Sequence, residues 1–220
     1  LSPELVILGA GAFSRQIAEL IEDSNRHATR WRLRGFLDDD ATLIGRTVFG
    51  YPVLGPLEMA GTLDAAQMVI GIANVRRPGA RRVIAARLGL PPARYAALIH
   101  SSASLSSRAE IGNGSVLLHN VVVSHGVALA AHVLVSAACI ISHDTRVDDG
   151  VTFAAGVIVN GGCKIGAGSY LGSACVIREC VTIGEGSVVG MGAVVTRDVP
   201  PGATVFGSPA KERIEAMGRA

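Results

Sequence analysis

An α/β domain followed by a parallel β-strand solenoid is the fold class that this 220-residue sequence predicts, and three observations carry it. Every sixth residue from position 99 to position 195 is apolar, without an insertion. Four places after most of these stands a small or β-branched residue, as at Ser115, Val121, Val127, Cys139, Thr145, Cys163, Ser169 and Cys175. Ahead of the repeat, an apolar run at 5–8 enters a glycine-bearing turn and then a segment in which Ile17, Leu20 and Ile21 recur at helical spacing. The chain accordingly divides into a Rossmann-like α/β domain over 1–97, the solenoid over 98–199 and a tail over 200–220.

The first element is a strand because residues 5–8 are apolar without alternation, as in strands covered on both faces. Gly9, Ala10 and Gly11 form the turn, and Ala12 opens the helix. A second strand is expected over 32–37, ending in Asp38, Asp39 and Asp40, and a third over 67–72, ending near Asn74. Ligands of such sheets sit at the carboxyl ends of the strands, so Gly9, Ala10, Gly11, Ala12, Asp38, Asp39 and Asn74 are expected to converge on one crevice. The dinucleotide fingerprint is broken there by Ala12 and Ser14, which argues against a full NAD site. It leaves a smaller phosphate-bearing ligand on the helix N-terminus, or a turn that simply joins strand to helix. Asp38 and Asp39 stand where a carboxylate would hold a ribose hydroxyl, or else cap the strand and face solvent.

A six-residue period fits neither an α-helix nor a flat alternating sheet; it fits a coil in which three hexads close one triangular turn of 18 residues. Residues 18 apart then stack at strand spacing, about 4.8 Å. Gly114, Gly168 and Gly186 supply the positive φ that such bends need. A thin prism leaves room for few large rings, which accounts for an aromatic content of 4% beside 27 glycines. Cys139, Cys163 and Cys175 fall in the small inward phase and read as core fillers that share no face, not as metal ligands.

Lys+Arg of 20 against Asp+Glu of 18, with no dense run of one sign, argues against a polyanion partner such as nucleic acid. Arg26, Arg30, Arg32 and Arg34 form the one basic concentration and read as a solvated face. Residues 5–12 have no basic flank and are broken by glycines, so they suit neither a signal peptide nor a membrane span. With no CxxC pair among four cysteines, a cytoplasmic location is expected.

His143 is followed directly by Asp144, and both lie just past inward Ile141, so they point outward at a bend. The carboxylate is placed to orient the imidazole and favour its charged form. One coil on, these positions fall on Gly161 and Gly162, an adjacent glycine pair. The missing side chains leave a notch beneath the imidazole where a thioester could lie, with the Gly161 N–H facing a developing oxyanion. His125 lies one coil earlier on the same bend, and His119 on a neighbouring one.

The hexads resemble the hexapeptide-repeat acyltransferases, which implies that the solenoid is a left-handed parallel β-helix. The same helix serves γ-class carbonic anhydrases and plain scaffolds, so it does not by itself fix a function. The whole chain resembles a narrower family, the sugar acyltransferases of the NeuD and PglD type. The resemblance rests on Gly9 to Gly11, Phe36 to Asp39, Gly71 to Asn74, Ser142 to Asp144 and Gly207 to Lys211. It implies acetyl-CoA as co-substrate, no metal, a front domain that binds a nucleotide-activated amino sugar, and a homotrimer. It also implies His143 as catalytic base with Asp144 beside it, and CoA along the solenoid between subunits, near Gly161, Gly162, Ser173, Gly190, Met191 and Lys211. Two departures stand out: Thr152 occupies the place of a second histidine found nine residues after the base in several members, and Ala12 that of a usual glycine. A hydroxyl acceptor or a larger acyl group fits the sequence as an alternative. So, more distantly, do a zinc lyase using His119, His125 and His143, and a non-catalytic sugar-nucleotide scaffold. The tail is expected to end in a short helix packed on the last coil near the CoA channel.

Overall fold

The computed structural model describes residues 2–26 and 30–212. His27 and the expected tail helix lie outside these residues. The front domain contains β1 (Glu4–Leu8), α1 (Ala12–Asn25), β2 (Arg32–Leu37), β3 (Thr47–Val48), β4 (Tyr51–Gly55), β5 (Ala66–Ile70) and α2 (Ala80–Leu88). Its sheet runs β3-β4-β2-β1-β5, parallel except for the β3–β4 hairpin. β1 is central and its apolar run is fully buried, as a strand with neighbours on both edges and layers on both faces requires. Ile17, Leu20 and Ile21 of α1 cover one face of the sheet; the 3-10 helix Leu57–Thr62 and the Ile84, Ala85 and Leu88 side of α2 cover the other. β3, β4 and α2 were not expected from the sequence. The basic concentration is partly ion-paired, Arg26 with Asp23 and both Arg32 and Arg34 with Glu4.

From Leu98–Ile99 to Val194–Val195 the chain forms two-residue strands that add to three parallel sheets, each strand paired with those 18 residues before and after it. The first face holds the strands such as 134–135 and 152–153, the second 140–141 and 158–159, the third 146–147 and 164–165. Every sixth residue turns the corner in the left-handed region: glycines at 114, 126, 150, 156, 162 and 168, but also Asn120, His132, Ala138, Asp144, Ala174 and Cys180. Side chains at those six positions accept a conformation that disfavours L-residues by roughly 1–2 kcal/mol each, so the coil geometry overrides local preference.

Both inward phases are buried beyond the first coil, while Ile99, on the uncovered first coil, is exposed. The inward polar groups have a regular partner. Ser115 donates to the Ala130 carbonyl at 3.0 Å, Thr145 to Asn160 at 3.2 Å and Ser169 to Gly184 at 2.8 Å. The thiols of Cys139 and Cys163 donate to Ala154 and Arg178 in the same way, 15 residues on. A small donor at this position thus satisfies a corner carbonyl that the strands leave open. The cysteines differ from expectation in one respect: Cys139 and Cys175 are two full coils apart and do share a face, with Val157 between them, as the bonds from Ile140 to Val157 and from Ile158 to Cys175 fix. Burial pushes their thiols up, to about 11 and about 12.

The front domain is seated on the solenoid rather than tethered to it. Leu98, Val116 and Leu134, outward on the first face, join the same buried cluster as α1; each side chain so covered contributes roughly 1.5–3 kcal/mol. α2 crosses the edge between the first and third faces, where Gly79 and Gly168 approach backbone to backbone. Arg81, only 2% exposed, donates to the carbonyls of Ile72, His132, Gly150 and Val151 and to the Thr152 hydroxyl. Burial lowers its pKa to about 9, so it remains cationic at neutral pH. At the far end, Thr204–Phe206 continues the first face and Lys211–Glu212 turns back antiparallel against it.

Candidate active site

The front-domain residues do converge. The turn after β1 needs Gly9, whose φ of 97° suits glycine and whose missing Cβ makes way for Ile72. Ala10 donates its N–H to Asp38 Oδ2 at 2.7 Å, closing the loop onto the end of β2. Ser14, standing where a third glycine was expected, is fully buried and donates to the Gly71 carbonyl at 3.1 Å. A Cβ on Gly71 would collide with it, so the small residue demanded by close packing has moved to the neighbouring strand end. Gly9, Asp38, Asp39 and Asn74 line a cavity of about 460 Å³ together with Arg77 and Arg87. Gly11 and Ala12 lie at the start of α1 beside that rim, Gly11 as its N-cap.

The two aspartates are not equivalent. Asp38 accepts from Ala10 and, through Oδ1, from the Asp40 N–H at 2.9 Å. Asp39 accepts from the Leu57 N–H at 3.0 Å and pairs with Arg87 at 2.9 Å. Burial pushes the Asp39 carboxyl up, but the Leu57 N–H and the guanidinium outweigh it and hold the carboxyl below its ordinary value. Asp39 therefore caps the 3-10 helix. Asn74 Oδ1 accepts the Arg76 N–H at 2.9 Å, shaping the loop that borders this cavity and a second one.

The second cavity, about 880 Å³, lies between α1, the 73–75 loop and the first face. Phe13, Leu118, Ala155 and Tyr170 give it apolar walls, and Gln16, Glu19 and His119 give it polar ones. Thr152 also borders it, but its hydroxyl oxygen is engaged by Arg81 at 2.8 Å. Arg81, which ties Thr152 to the loop at Ile72, had no sequence signal beyond lying in a short arginine-bearing segment after Pro78 and Gly79.

His143 and Asp144 occupy the edge between the second and third faces. The left-handed turn at Asp144, φ 56°, swings its carboxylate back, and His143 Nδ1–H donates to Oδ2 at 2.9 Å. That leaves the Nε2 lone pair for a proton. One coil on, a Cβ on Gly161 would stand 2.5 Å from Nε2 and Cε1. The expected notch is therefore occupied by the imidazole itself. The Gly161 N–H donates to no acceptor among the described residues, whereas Gly162 donates its own to the His143 carbonyl at 2.9 Å.

Ser173 and Met191 stack on the other edge of the second face, Met191 81% exposed. Gly190 donates its N–H to Val205 at 2.7 Å, and Lys211 lies on the reversed last strand. Within one chain, then, the residues expected to meet CoA fall on two edges, and His143 lines neither cavity described above. The three alternative zinc ligands also separate: His125 stacks on His143, while His119 lies against His100 across the second face.

Residues 4–88 match the family described as PglD N-terminal domain, and residues 162–197 match bacterial transferase hexapeptide (six repeats). No curated protein sequence matches the chain. Among solved structures, the acetyltransferase domain of PglB from Neisseria gonorrhoeae FA1090, in complex with acetyl coenzyme A, is 32% identical with a TM-score of 0.83, covering 97% of this chain and 100% of that one. WeeI from Acinetobacter baumannii AYE is 28% identical with a TM-score of 0.72, over 96% and 100%. A histidine-to-asparagine mutant of perosamine N-acetyltransferase from Caulobacter crescentus, in complex with CoA and GDP-perosamine, shares the fold at 23% identity and a TM-score of 0.85, over 96% and 97%.

Proposed function

The chain belongs to the hexapeptide-repeat acyltransferases with a PglD-type N-terminal domain and a left-handed β-helix, and from that premise we propose that it acetylates the amino group of a nucleotide-linked sugar. Acetyl-CoA is the donor, as in the complex of the gonococcal relative. The observation that carries this reading is the ordered edge of Asp144, His143 and Gly161. His143 Nε2 takes the proton as the acceptor nitrogen attacks the thioester carbonyl. The C–N bond forms, the Gly161 N–H stabilises the oxyanion, and collapse breaks the C–S bond, the proton passing from His143 to the departing sulfur so that CoA leaves as the thiol. No covalent enzyme intermediate is needed.

The active unit is a homotrimer in this reading. Outward on the second face stand Val122, Ile140, Ile158, Val176 and Val194, whereas the third face presents Glu110, Arg146 and Lys164. An apolar ladder of this kind suits a buried subunit contact. Its two borders are the His143 edge and the Ser173–Met191 edge, so closing a ring through this face sets the His143 edge of one copy beside the other edge of the next. The same closure supplies a base to the large cavity, whose wall includes Ala137 and Ala155 of the Ser173 edge. The acceptor's nucleotide is assigned to the Gly9–Asp38–Asn74 crevice and its sugar to the cavity beyond Asn74.

The test is acetyl-CoA turnover against a panel of UDP-, GDP- and dTDP-linked amino sugars, with His143→Ala alongside. Transfer to one of them, lowered about 10²-fold or more by the substitution, is expected. Undiminished transfer by His143→Ala would remove the base from the scheme, and transfer to hydroxyl sugars alone would move the reaction to O-acylation.

A further inference from the structure

The imidazoles of His125 and His143 are stacked, their centroids 5.6 Å apart and their planes within 15° of parallel. Gly161 closes on the other side of His143. The base is thus held between a second imidazole and a bare backbone, while Asp144 grips its Nδ1 edge. We propose that His125 is a positioning residue for the transfer reaction, one that keeps the His143 ring flat over Gly161 with Nε2 in one direction. This rests on the reading of His143 as the base.

Asp144 holds one edge of the ring and leaves rotation about that hydrogen bond open. A flat neighbour on one face and bare backbone on the other close off that rotation, so the Nε2 edge keeps one direction. When His143 takes the proton during transfer, His125 offers its π-face to the new cation.

With the acceptor identified by the panel, steady-state kinetics on the full-length protein test this. His125→Ala, which removes the packing face, should lower kcat about tenfold with KM unchanged. His125→Phe keeps a stacking face and should restore kcat to within about threefold of the parent. An unchanged kcat in His125→Ala, or an equal loss in His125→Phe, would overturn the positioning role. Activity that survives His143→Ala sinks the base assignment itself, whereas a silent His125→Ala beside an inactive His143→Ala sinks this inference alone.

Discussion

Gly161 lies one coil beyond His143, and a Cβ on it would stand 2.5 Å from both Cε1 and Nε2 of the imidazole. Gly161→Ala therefore displaces the ring from its seat. Because the group met is an exposed side chain and not backbone, the melting temperature should barely change while kcat falls about 10- to 100-fold. Thermal melts run beside steady-state kinetics check both halves; a large loss of stability, or an unaltered kcat, would contradict this account of the edge.

Ile140, 38% exposed, stands in the apolar ladder of the second face between Val122 and Ile158. Ile140→Lys puts a charge where the subunits are proposed to meet, and a buried unpaired charge is costly enough to separate them at micromolar concentration. Light scattering after gel filtration should report a folded single chain without transferase activity. An intact trimer in this variant would move the contact to another face.

Arg81 binds five acceptors from both domains, with no carboxylate partner among the described residues. Arg81→Met strands those acceptors in the junction and should cost about 3 kcal/mol or more. Urea unfolding gives the magnitude, and limited proteolysis shows whether the front domain comes away from the coil before the coil itself unfolds.

His132 is 8% exposed, its ring packed edge-on against Tyr95 with centroids 4.6 Å apart. Burial, and then the nearby Arg81 charge, lower its pKa below the ordinary 6.5. The unfolded chain therefore binds the proton more readily, so the stabilising contribution is complete above pH 6.5 and is lost as pH falls from there toward the lower folded value. Unfolding free energy measured from pH 8 to pH 5 should decline on the acid side, and His132→Asn, which tolerates the left-handed corner, should flatten that decline.

Cys180 is exposed, whereas Cys139, Cys163 and Cys175 are buried and their thiols are pushed up by burial. A thiol reagent should modify one residue of the native protein rapidly and all four after denaturation. Rapid modification of a second thiol would mean that the prism opens.

The solenoid was legible because its information is local and repeated: a one-residue slip would expose every inward side chain, so the hexads had to be kept in phase from 99 to 195. The relation of His143 to Gly161 could be counted directly from the winding. The placement of α2 could not, because its function depends on Arg81 reaching across to carbonyls 51 and 69 residues away. The β3–β4 hairpin was equally silent, since its turn places Phe49 at φ 48° beside Gly50 and lacks the usual asparagine or aspartate signal. Counting 18-residue columns likewise assigns positions to edges, but which edges come together depends on a neighbouring copy of the chain.

A parallel β-helix ends in an open ladder, and a stack of coils is by nature a template on which another copy's coils can continue. The reversal at Lys211–Glu212 withdraws that invitation: the terminal strand runs the wrong way for a further parallel coil and carries a charge of each sign on exposed side chains. The first coil keeps its inward Ile99 exposed, so the barrier stands at the reversed end alone. One blocked end is enough to discourage head-to-tail polymerisation into fibres, while the faces stay free for sideways association.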